Sequence, residues 1–281
     1  MSVRPSTTVP FWASPSILSL DTALVATLWF AFLGHTFHLS LERADFYAFF
    51  LLVVGGSLIF NLTRYSFAGT HQNLLTRRLA LLYQEKKLLI ILLPMIFLCA
   101  LVLIYLDLLA SIFWQLTVMS LLFAAYLGLL VWSRNIHFWG FPIPLLKGSL
   151  LFFLFGAFLW PAIPGSALPL TLGLGFLSLL FCLTFFREES SGVPNETSTF
   201  HPHFLPVLNA NLPLISLWLL IFLLAALLFS PNVSTAILFV ALSTSAINLF
   251  ILFQWGKKLS FLPFRYLSRL LLALPLIPAL F

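Results

Sequence analysis

The side chains that could do chemistry in this sequence are few and sit where apolar runs end. Arg64 and Arg187 close two such runs. A pair of guanidinium groups there can hold a phosphate or diphosphate without metal, because the planar fork matches those oxygens. The same residues would serve equally as anchors that snorkel to lipid headgroups. Asp21 lies a few residues inside the first apolar run. An acid within a membrane segment is by default a functional candidate, and at headgroup level it is an ordinary solvated one. His201 and His203 flank Pro202 in the most polar stretch of the chain, with Glu188, Glu189 and His71 expected on the same face. His-x-His with carboxylates suits Zn²⁺ or another transition metal, yet no tight ligand spacing accompanies it, and solvated loop histidines are the simpler reading.

The elements that must position these groups follow from composition. The 281 residues are 61% hydrophobic and only 8% charged, with mean hydropathy +1.08. That excludes an ordinary soluble domain, a disordered tail and a disulfide scaffold. About 20 apolar residues cross a bilayer as a helix. On that measure nine spans are expected, over 16–34, 45–62, 88–106, 109–132, 143–163, 168–186, 211–230, 234–254 and 266–281. The runs are too long and continuous for barrel strands. The expected architecture is therefore all-α, a single polytopic domain over 1–281. Its long cytoplasmic loops fall at about 63–87 and 187–210.

Net charge is +6, and 13 of the 14 Lys and Arg fall on one predicted face, Arg43 alone on the other. The positive-inside rule then places the N-terminus and the long connections in the cytoplasm and, with nine spans, the C-terminus on the opposite side of the cell membrane. The segment Leu74–Lys87 has the spacing of an amphipathic interfacial helix. No basic stripe with interleaved exposed aromatics suggests nucleic acid. Cys99 and Cys182 lie within apolar runs and read as small buried hydrophobes. The glycines within spans read as sites of close helix approach.

In this topology, and in the segments SLDTALVA (19–26), SLIFNLTRYSF (57–67), PLLKGSLLFFLFGAFLWP (144–161) and FFREESSG (185–192), the chain resembles the UbiA superfamily of intramembrane prenyltransferases. The resemblance implies a nine-helix bundle with a site beneath the loops after the second and sixth helices. There, two acidic motifs hold Mg²⁺ against the diphosphate of an isoprenyl donor. It also implies a polar cavity to which Asp21 and Asn61 would belong, with Lys147 at its mouth. The chain departs from the motifs. Aligning Asn61 with the first motif puts Leu62, Tyr65 and Gly69 at its acidic positions. Near the second only Glu188 and Glu189 remain, adjacent and so diverging around a helix rather than pointing at one ion.

The expected function is accordingly a UbiA-like membrane protein that binds an isoprenoid or lipid, with Mg-dependent prenyl transfer lost or altered. Were transfer retained, Glu188 and Glu189 would hold the single Mg²⁺, while Arg64, Lys147 and Arg187 would take the diphosphate. An accessory subunit of a larger energy-transducing membrane assembly, with partner membrane subunits, is the second reading. A transporter ranks third, because polar residues at mid-membrane are few.

Overall fold

The computed structural model describes residues 20–68, 117, 121, 143–160, 168–192, 204–230, 232–256, 259 and 261–276. All the regular structure among them is helical. The helices are α1 (Leu20–Thr36), α2 (Arg43–Ala68), α3 (Ile143–Leu159), α4 (Leu168–Gly192), α5 (Phe204–Leu228), α6 (Val233–Trp255) and α7 (Phe261–Ala273). A 3₁₀ turn, Leu274–Leu276, follows α7. Three segments are long and apolar enough to cross a membrane: Leu168–Glu188, Val207–Leu228 and Val233–Trp255. The predicted spans over 88–106 and 109–132 lie outside the described residues, apart from Thr117 and Leu121, which are both helical. The segment Leu74–Lys87 also lies outside them.

Local chemistry sets the helix ends. α1 stops in a Schellman motif: Leu39 N–H donates to Gly34 O (2.9 Å) and His38 N–H to His35 O (3.2 Å). His38 takes the left-handed conformation this requires, with φ 52°. Asp45 accepts from Glu42 N–H at 2.8 Å, closing the start of α2. α6 opens on a capping box between Asn232 and Thr235.

Several boundaries differ from expectation, α2 among them, which runs to Ala68 instead of ending at 62. α4 continues to Gly192 instead of ending at 186, and α5 begins at Phe204 instead of 211. The polar stretch counted as a long loop is therefore largely helical at both ends. Glu188 stays in the helix because it is buried and paired rather than solvated. Pro206 falls in the first turn of α5, where a missing N–H does no harm. Of the expected last span, 266–281, the described part reaches Leu276: its helix, α7, starts earlier, at Phe261, and gives way to the 3₁₀ turn after Ala273.

α4 lies at the centre, packed on α3, α5, α6 and α7, while α5 and α6 form the most extensive pair. α7 lies against α1, α4 and α6. Small residues let α3 and α4 close up. A methyl group at Gly148 would collide with Cys182 Sγ and sit 3.0 Å from Ser178 O. Gly173 gives the same clearance to Leu238 of α6. Cys182 is a buried thiol, as its sequence setting suggests. Between α1, α2 and α3 the core is aromatic. Phe30 stacks on Phe49 at 4.5 Å between centroids, and Phe155 and Phe158 of α3 pack against that pair.

Candidate functional site

Four ionised side chains meet at one end of the bundle, where α1 starts, α4 ends and α7 passes between them. α7 contributes Arg265 and Arg269, one turn apart and so on one face. α4 contributes Thr184 and Glu188 with the same spacing, and α1 contributes Asp21 and Thr22 in its first turn. The Arg265 side chain is 1% exposed and that of Glu188 7%. In a low-dielectric interior such charges persist only when paired and hydrogen-bonded, and here every guanidinium nitrogen and every carboxylate oxygen of the four has a partner.

The groups alternate in sign. Arg265 Nε and Nη2 grip both oxygens of Asp21, the Nη2–Oδ1 contact being 2.7 Å. Its Nη1 donates to Glu188 Oε2 at 3.3 Å. The other Glu188 oxygen, Oε1, accepts from Arg269 Nη2 at 2.6 Å. Arg269 spends its remaining donors on hydroxyls, Nη1 on Thr184 (2.6 Å) and Nε on Thr22 (3.2 Å). Thr22 Oγ1 also accepts from Arg265 Nη2 at 3.3 Å. Two guanidinium groups thus neutralise two carboxylates, and the bidentate Arg265–Asp21 pair has the strongest geometry available to such ions. The Arg269 guanidinium also lies 4.9 Å from the ring centre of Phe185 and 5.7 Å from that of Phe181.

The expected site residues divide around this cluster. Asp21 and Glu188, assigned to separate roles from the sequence, share the same arginine. Lys147 Nζ stands 5.5 Å from the centroid of Phe185, the ring that also receives Arg269. Arg187 turns away from Glu188. It donates to Asn209 Oδ1 on α5 at 2.9 Å and lies over Phe264 of α7. Asn61 and Arg64 fall in the last turns of α2 and Glu189 in α4, but their side chains lie outside the described residues. So do His71, His201 and His203.

The donor set does not fit Mg²⁺. Both oxygens of Glu188 accept from guanidinium groups, and a cation placed there would face two positive charges. Among the described residues no group of three or more His, Cys, Asp or Glu could hold a metal ion. Sequence reasoning did not single out Arg265 and Arg269, which lie close to Lys257 and Lys258 and enter it only among the 13 cations of the predicted cytoplasmic face. The signal was partial: Asp21, an acid inside an apolar run, needs a partner, and Arg265, Arg269, Leu272 and Leu276 repeat at helical spacing. No family model, curated protein or solved structure matches this chain.

Proposed function

We propose that this is a multi-pass protein of the cell membrane with a UbiA-like scaffold and a cytoplasmic N-terminus, which binds an isoprenoid or other lipid without metal-dependent prenyl transfer. One observation carries the reading: Glu188, one of the two acids expected to hold the metal, is consumed together with Asp21 by Arg265 and Arg269. A scaffold whose acids are occupied in this way cannot neutralise a leaving diphosphate through Mg²⁺. It keeps cationic side chains, Lys147 and Arg187, at the same end of the bundle, which suits an anionic headgroup.

The test is mass spectrometry of the protein released from mild detergent. A lipid or polyisoprenoid retained in fixed ratio, and lost on changing both Lys147 and Arg187 to glutamine, is the expected result. Paramagnetic Mn²⁺, offered in place of Mg²⁺, should show no protein-bound signal. Bound Mn²⁺ that disappears in Glu188→Gln would overturn the reading.

The second reading, an accessory subunit, is favoured by α5. Its span is the least buried of the three and presents Trp218, Ile221, Phe222 and Leu224 outward. Co-purification of a partner membrane chain in fixed stoichiometry, with no retained lipid, would select it.

A further inference from the structure

α7 differs from the three apolar spans in length and in how it ends. Thirteen residues give about 20 Å of helix, against the roughly 30 Å of a bilayer core. Pro275 has no N–H, so the carbonyl of Leu271 loses its helical donor. Side chains from two other helices take over. Asn248 Nδ2 of α6 donates to Leu271 O at 3.3 Å, and buried Trp29 Nε1 of α1 donates to Leu272 O at 3.1 Å. The backbone then tightens into the 3₁₀ turn, with Leu276 fully buried. These donors fix the depth of the end. Asn248 lies about 10 Å from the end of α6 that leads into α7, in a helix about 34 Å long. Trp29 lies about 13 Å from the start of α1.

The buried arginines, Arg265 and Arg269, lie in the first two-thirds of α7. A helix with two such residues does not enter an apolar bundle on hydropathy. We infer that Phe261–Leu276 is a re-entrant half-helix. It returns into the bundle from the side on which α6 leaves, stops at part depth against Trp29 and Asn248, and stays seated because Asp21 and Glu188 neutralise Arg265 and Arg269. The backbone it leaves unpaired inside the bundle is permitted because the protein itself supplies the donors. This rests on the membrane location of the bundle and not on any bound lipid.

The test uses the full chain in proteoliposomes, with Cys99 and Cys182 changed to alanine and a nitroxide attached at Leu274→Cys, an outward-facing position. Relaxation by oxygen against a water-soluble nickel chelate reads the depth of the label. The parent should place it within the hydrocarbon. Asp21→Asn with Glu188→Gln should shift it towards the headgroups, because both arginines lose their counter-charges. Adding Arg265→Met and Arg269→Met should return it to the parental depth. A parental label at the far headgroup layer would overturn the half-helix, and an unchanged label without the carboxylates would overturn the neutralisation. Where the carboxylate-free chain is not recovered folded, the four-fold variant decides alone. A label at parental depth there sustains the inference, and a displaced label or no folded protein refutes it.

Discussion

Two regions hold neighbouring helices together by opposite means. Between α1, α4 and α7 the contact is ionic, directional and fully paired. Between α1, α2 and α3 it is a stack of phenylalanines with no polar atom. In lipid the apolar region gains little from burial alone, since acyl chains are as apolar as Phe, so it relies on shape. The ionic region tolerates little change, because removing one member leaves its neighbour charged and buried. The aromatic region can relax around a smaller side chain.

The largest effect that would sharpen this contrast is at Arg265. Arg265→Met leaves Asp21 without its bidentate partner and should destabilise the fold by about 3–5 kcal/mol. Denaturant unfolding in mixed micelles measures it. Next is the small-residue seam, where Gly148→Ala drives a methyl into Cys182 and should cost about 1–3 kcal/mol. Cys182→Ala in the same chain should restore part of that loss. Phe49→Leu removes the stacked partner of Phe30 and should cost about 1 kcal/mol by the same assay. An aromatic change as damaging as the Arg265 change would remove the distinction. The smallest expected effect is Asn248→Leu, which takes one donor from the end of α7, at about 0.6 kcal/mol.

The helical class and three of the expected spans were legible in hydropathy alone. The runs behind α4, α5 and α6 announced themselves because the bilayer demands uninterrupted apolar length. What misled was the rule that charge marks the end of a span. Arg187 and Glu188 were read as the exit of α4, yet one bonds to Asn209 and the other to two arginines, and the helix runs on. Arg265 and Arg269 beside Lys257 and Lys258 looked like one basic connection. Composition cannot tell a solvated arginine from one matched to a carboxylate more than 200 residues away, as Arg265 is to Asp21. Of the adjacent pair, Glu188 faces the two arginines, while the side chain of Glu189 lies outside the described residues.

Phe185 sits between Lys147 of α3 and Arg269 of α7, receiving both cations on one ring. One ring thus lies within reach of cations from α3 and α7, and neutralising the lysine should change the field that the arginine feels. Trimming that ring to an aliphatic residue would remove this shared contact while leaving every hydrogen bond of the four-charge cluster in place.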